Sequence, residues 1–390
     1  MRTLILMALT IMLTASTARA QQSVSQIVLF LLTNRSVATD DFVRDADAAL
    51  ATYESLSTFL TVELGTLPIG SSAGGFAYRF DRSLGTLVLS SDNFGPLFTE
   101  RSLTVGEGQT SFAVTYQHAG FDEIDGRPLR DGTLVSTATK LRSESEPFDV
   151  ETLTMRVKAD TVTFAGTYGV TDELDLSMAV PIVRLSISGE RFDTYRGRRF
   201  LQAGASVSAS GLGDVVVRGK YNVLRTGSGG SGVAVGAEVR LPTGDEENLL
   251  GASGFGVQPR LMASYETGNV ALSGNFGYAI RESSDELDYR GALVVVGGRR
   301  LTLIGELLGR RLSLGQLTEA ITPHPQLTGV DTIRLTSVES GTNRLVMVAG
   351  FKWNIANTWL LNVSVLRPLT STGLNGGWVP AFTFDYSFGQ

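Results

Sequence analysis

Few residues in this sequence could do covalent chemistry. It has 390 residues, two histidines and no cysteine. Disulfides and thiolate metal sites are therefore excluded. His118 stands in Tyr116-Gln117-His118-Ala119-Gly120, and Ser111 is its nearest candidate nucleophile, seven residues away and without a surrounding motif. A hydrolase built on a His–Ser pair is thus a minor reading. His324 lies between Pro323 and Pro325, and two isolated imidazoles make no metal site. Asp245, Glu246, Glu247 and Asn248 could offer oxygens to Ca²⁺, but they lack the spacing of a calcium loop, and a solvated external turn explains them better. Gly227-Ser228-Gly229-Gly230 is a flexible turn, because no helix or Lys-Ser/Thr follows it. No enzyme activity, catalytic residue, metal or cofactor is expected.

What remains is electrostatic, and it depends on which faces carry the charges. Hydrophobic residues make up 43%, charged residues 18%, and mean hydropathy is +0.10. No apolar run in the body of the chain reaches the 18 or so residues of a spanning helix. So much apolar content excludes a disordered chain. The net charge of −6 argues against a nucleic-acid partner.

The apolar residues recur at every second position. Val233, Val235, Ala237, Val239 and Leu241 alternate with Gly236, Glu238 and Arg240, and Leu272, Phe276, Tyr278 and Ile280 alternate with Ser273, Asn275 and Arg281. Similar runs recur from Asp214 to Phe388. Successive strand side chains point to opposite faces, so each segment has one apolar and one polar face. Soluble sandwiches share this pattern. Three features favour a transmembrane barrel: segments mostly as long as a tilted membrane strand, short turns alternating with long loops, and aromatics beside the short turns. The aromatics Tyr168, Tyr265, Trp353, Trp359, Tyr386 and Phe388 are expected to form an interfacial girdle. A last strand ending in Phe388 also resembles an outer-membrane sorting signal, which implies the outer-membrane assembly machinery as a partner. The fold expected is an all-β antiparallel transmembrane β-barrel of about 14 strands (12–16) with an N-terminal helical segment. Asp331–Leu335 looks like a strand, but parity places it in a long external loop.

In the segments 151–169 and 174–188 the apolar face changes parity near residues 161 and 182, at equal distances from the turn between them. Pro181 suggests a bulge that kinks the hairpin. Curvature of the wall, or a lateral opening, could use such a kink.

Residues 1–20 have the form of a secretory signal peptide ending Ala18-Arg19-Ala20. Residues 21–75 are expected to be a helical plug and linker, and 76–390 the barrel. Thr39-Asp40-Asp41 offers a helix start. Phe42, Ala46, Ala49, Leu50, Tyr53, Leu56 and Leu60 then follow at helical spacing. This helix fits a plug entering from the periplasmic side. Lying outside the barrel or pairing with another chain are the alternatives. The polar faces place Arg218, Lys220, Glu238, Arg240, Arg260 and Arg290 on the lumen, with Asp214, Glu266, Arg281, Asp288, Glu306, Arg310 and Lys352. Mixed signs at this density suggest ion pairs across a filled or narrow lumen.

The runs Gly211-Leu212-Gly213-Asp214, Val217-Arg218-Gly219-Lys220-Tyr221 and Leu241-Pro242-Thr243-Gly244-Asp245-Glu246-Glu247-Asn248-Leu249-Leu250-Gly251 carry a resemblance. They are similar to a family of bacterial outer-membrane barrels associated with the MetA pathway of phenol degradation. The likeness covers roughly 152–388 and implies a transporter-like protein of the outer membrane. The general plan also resembles the long-chain fatty acid and aromatic hydrocarbon channels, although their Asn-Pro-Ala element is absent here. A channel for small hydrophobic or aromatic solutes, embedded in the lipid bilayer, is the expectation. The rival is a structural or surface-interaction barrel acting through the long loops at 189–213 and 313–343.

Overall fold

The computed structural model describes residues 22–34, 43–72, 75–81, 86–91, 93–226, 230–252, 254–282, 284–338, 341–356 and 358–388. The expected signal peptide, the Thr39-Asp40-Asp41 helix start and the turn residues Gly227 to Gly229 lie outside them.

Two helices come first, α1 (Val24–Thr33) and α2 (Ala46–Gly65). Strands β1 (Tyr78–Asp81) and β2 (Thr86–Leu89) pair only with each other. Next come β3 (Thr110–Ile124), the short β4 (Arg127–Pro128) and β5 (Leu134–Leu141). The long strands β6 (Asp149–Gly169) and β7 (Leu174–Tyr195) follow, then β8 (Arg198–Leu212) and β9 (Val215–Thr226). Beyond them lie β10 (Ser231–Leu241), β11 (Gly256–Thr267), β12 (Val270–Arg281), β13 (Glu286–Gly298) and β14 (Leu301–Leu312). The chain ends with β15 (Leu317–Pro323), β16 (Val330–Ser337), β17 (Thr342–Ala356), β18 (Trp359–Pro368), β19 (Leu374–Gly376) and β20 (Val379–Phe388).

Among the described residues, 12 strands close the wall, in the order β3, β6, β7, β9–β14, β17, β18, β20 and back to β3, each antiparallel to its neighbours. This is the lower end of the expected range. The two segments that would have made 14 are not in the wall. Leu134–Arg142 contributes β5, which joins an outer sheet, and 76–105 contributes only the β1–β2 pair. The wall therefore starts at Thr110, not at residue 76. Full closure removes the edges that an open sheet would expose to lipid.

The alternation fits this wall. On β12, Leu272, Phe276 and Ile280 are exposed, while Ser273 and Asn275 are buried. Apolar side chains thus face outward and polar ones inward. Gly268, at φ +54°, makes the tight turn into β12.

The kink expected in the β6–β7 hairpin is absent. The two strands stay in one register from Asp149↔Tyr195 to Gly169↔Asp175. Even-numbered residues face outward throughout: Phe164, Tyr168, Leu176 and Met178 in the lower part, Arg156, Lys158 and Arg184 in the upper part. What changes is the environment. Below residues 161 and 182 the apolar medium is outside. Above them, buried Leu153, Met155, Val157, Leu185 and Ile187 point inward and pack on α1 and α2. The parity change therefore marks where hydrocarbon ends. The bulge lies on the other side of β7. Ile182 pairs with Leu212 of β8, Ala179 pairs with Val216 of β9, and Gly213 donates its N–H to the carbonyl of Pro181 at 2.8 Å.

Above that level β15, β16, β5, β6, β7 and β8 continue as one sheet. The loops expected at 189–213 and 313–343 are largely folded into it. Asp331–Leu335 is indeed a strand in an external connection, part of β16. Ser23 and Gln26 form a capping box on α1, and Asp45 caps α2 by accepting from the N–H of Ala48 at 3.0 Å. Ile27, Leu31, Leu56, Phe59 and Leu60 are buried against the inner face of the sheet. Both helices thus sit at the external end, remote from Phe388, and not at the periplasmic end.

Candidate functional site

After α2, the described residues 66–72 and 93–105 run inside the wall, held by inward side chains of many strands. Glu306 of β14 accepts from the backbone N–H groups of Leu97, Phe98 and Thr99 and from the Thr99 hydroxyl. Asn275 of β12 accepts from Glu100 N–H at 2.6 Å and donates to its carbonyl at 2.7 Å. Lys220 donates to Leu103 O at 2.7 Å, Asn222 to Ser102 O at 2.8 Å and Lys352 to Phe94 O at 3.0 Å. These bonds satisfy backbone groups that have no sheet partner, as burial requires.

Several of the predicted lumen residues meet this segment or the end of α2. Arg218 donates to Gly70 O at 2.8 Å, Arg240 to Gly65 O at 2.9 Å and Arg290 to Phe98 O at 2.9 Å. They also pair with one another. Glu238 lies 2.9 Å from Arg218, 3.6 Å from Arg260 and 3.9 Å from Arg240. Asp288 joins Arg260 at 3.8 Å to Arg290 at 2.9 Å. Four members were not singled out from sequence. Asp175 pairs with Lys220 at 3.4 Å, Glu100 with Arg218 at 3.7 Å, and Glu63 of α2 with Arg310 at 2.8 Å and with Arg344. Asp175 and Arg344 extend the inward rows of β7 and β17 by one step. Glu63 and Glu100 lie outside any strand, so alternation gave no signal for them.

Glu100 is outside the membrane-spanning strands. Burial alone would push its carboxyl pKa up, but Lys220 and Arg218 overcome that and hold it at about 2. A depressed carboxylate pKa contributes stability that is complete above the ordinary value of 4.5 and is lost as pH falls through about 2. Acidification from pH 5 to about 2 should therefore loosen this segment, read as rising proteolysis between residues 66 and 105 in the folded barrel. Glu100→Gln should lose most of that pH dependence.

Two cavities lie beside the segment. The upper one is lined by Leu67, Ala119, Phe121, Leu308, Val346 and Leu366, with Glu286, Asp288, Arg290, Arg310 and Arg344 at its polar side. The lower and smaller one is lined by Leu97, Phe98, Thr115, Asn362, Thr383 and Asp385. Both use the inner faces of β3 and β18: Gln117 to Phe121 above and Ala113 to Thr115 below.

The six predicted girdle aromatics lie toward the rim where β20 ends. Tyr168, Tyr265, Trp353, Trp359 and Phe388 are exposed and Tyr386 half-buried, with the Trp359 and Tyr386 rings 4.4 Å apart. The acidic turn has a structural role. The Glu247 carbonyl and the Asn248 side chain accept from Ser25 and Val24 N–H at the start of α1, Asp245 accepts from Asn248, and Glu246 O takes Leu249 N–H. In the same motif, Asp214 accepts from Gly244 and Ala252 N–H, which clasps the loop over the bulge. Ser111 is buried inside while His118 points outward to Asp160 at 2.7 Å, so the pair considered for hydrolysis does not meet. His324 Nε2 contacts Val43 O at 2.8 Å.

A closed wall, apolar outside and polar inside, with aromatics gathered at one rim, defines an outer-membrane β-barrel. Residues 133–292 match the family model described as "Putative MetA-pathway of phenol degradation". The match contains the 211–251 motifs, and over that stretch it bears out their resemblance to this family. Among solved structures, an outer membrane channel from Pseudomonas putida F1 is similar at 14% identity and TM-score 0.48, over 74% of this chain and 98% of that one. The translocator domain of the autotransporter NalP from Neisseria meningitidis is similar at 12% and 0.35, over 73% and 89%. A deletion mutant of the TodX monoaromatic hydrocarbon channel is similar at 9% and 0.34, over 72% and 89%. No curated protein matches the chain.

Proposed function

We propose that this barrel passes small hydrophobic or aromatic compounds across the outer membrane through a lumen partly plugged by its own N-terminal region. The observation that carries this reading is the pair of cavities stacked on the inner faces of β3 and β18. The upper cavity is mainly apolar with a few polar groups at one side, the make-up of a site for a small organic ligand. Leu97 and Phe98 line the lower cavity, and Glu306 grips the backbone there. The stretch around Leu97 and Phe98 thus acts as a constriction; Arg218, Lys220 and Arg290 hold the inner segment directly, Arg240 holds the end of α2, and Glu238 and Arg260 brace these cations. Vesicles containing the full chain should take up a monoaromatic solute faster than empty vesicles, and deletion of residues 21–64 should raise that uptake. Equal and negligible uptake with both proteins would refute the channel.

A further inference from the structure

The outward face of β6, β7 and β8 changes character just above the level where hydrocarbon ends. Lys158 and Arg184 stand there, with Arg156 one outward position higher, and all three are exposed. The register sets Lys158 opposite Ser186, Arg156 opposite Ser188 and Arg184 opposite Ser210. Ser186 and Ser188 in turn face Ser208 and Ser206, and the Ser186 and Ser208 hydroxyls are 2.6 Å apart. Direct cross-strand neighbours are about 5 Å apart and diagonal ones about 7–8 Å, so three cations and a block of hydroxyls share one patch. Its upper part is concave, an open groove lined by Thr154, Arg156, Ser188, Glu190 and Ser206.

Among the described residues none of the three cations makes a salt bridge. Asp160 stands directly opposite Arg184 in the register and feels its charge, but its hydrogen bonds go to His118 at 2.7 Å and the Tyr116 hydroxyl at 2.8 Å. Glu190, opposite Thr154, is the diagonal neighbour of Arg156 on the same face and makes no salt bridge with it, so the patch keeps a net positive charge. Long basic side chains at this height lay their stems on apolar surface and their charges among headgroups. β10 and β12 end near this level, so the patch belongs to the sheet that continues outward. We propose that it is a binding site for the phosphorylated headgroup of an outer-leaflet glycolipid. The cations pair with the phosphates and the serines donate to phosphate or sugar oxygens.

The test titrates the full-length barrel in detergent with fluorescent lipopolysaccharide, its dephosphorylated form, and inorganic phosphate as competitor. An Arg156→Ser, Lys158→Ser, Arg184→Ser triple variant should bind the intact glycolipid about ten-fold or more weakly. Each single substitution should give a partial loss, which keeps the test valid if the triple variant folds poorly. Removing the phosphates should weaken binding to wild type by a similar factor. Arg198→Ser with Arg199→Ser, at the hairpin tip, should change nothing. Undiminished binding by the folded variants, equal loss in the tip variant, or full displacement by equimolar phosphate would each overturn the site.

Discussion

Glu306→Ala should convert a barrel of low conductance into one with a steady open level in planar bilayers. The carboxylate accepts three consecutive backbone N–H groups, from Leu97, Phe98 and Thr99, and the Thr99 hydroxyl. Truncation strands those donors in a buried place, at about 1–3 kcal/mol for each unsatisfied group. Even about 3 kcal/mol shifts the balance between held and released segment by roughly 100-fold. The wall itself keeps its ladders, because Glu306 pairs through its backbone with Ala292 and Val348 whatever its side chain. Conductance should therefore rise far more than the unfolding temperature falls. Glu306→Gln, which keeps one acceptor oxygen, should lie between. A Glu306→Ala barrel that is folded and as closed as wild type would show that Leu97 and Phe98 do not set the constriction.

Period-two alternation made the wall legible because every wall strand has lipid on one side and polar groups on the other. It placed Arg218, Glu238 and Arg260 on the same face of adjoining strands, which is where their ion pairs form. It could not place Glu63 or Glu100, whose cationic partners are 247 and 118 or more residues away in sequence. The count of 14 failed because β5 has a strand's sequence without a wall strand's length or position. Residues 93–105 gave no periodic signal, since their backbone groups bond mainly to side chains of the wall and not to a ladder. The motif around Asp214 looked like a family marker of unknown use. Its contacts show a physical one: closing the loop over a strand that changes register.

The parity change in β6 and β7 was readable, but its cause was not, and a charge scan along one strand separates the two accounts. With the register unbroken, Phe164, Thr154 and Arg156 share the outward face while Met155 points inward. Phe164→Lys, between the girdle residue Tyr168 and the outer boundary, should cost about 2–4 kcal/mol in lipid. Thr154→Lys, ten residues back on the same face, should stay within about 0.5 kcal/mol, because water or headgroups lie outside it. Met155→Lys should cost more than about 4 kcal/mol, because it puts an unpaired charge among Leu31, Leu153 and Ile187. A bulge near residue 161 would instead turn Met155 toward lipid and Thr154 toward the lumen. The absence of cysteine makes a cleaner readout available. On intact cells, a membrane-impermeant maleimide should label Thr154→Cys rapidly and leave Phe164→Cys and Met155→Cys unmodified. Protection of Thr154→Cys, together with a Met155→Lys cost no larger than that of Phe164→Lys, would restore the bulge and move the lipid boundary up the hairpin.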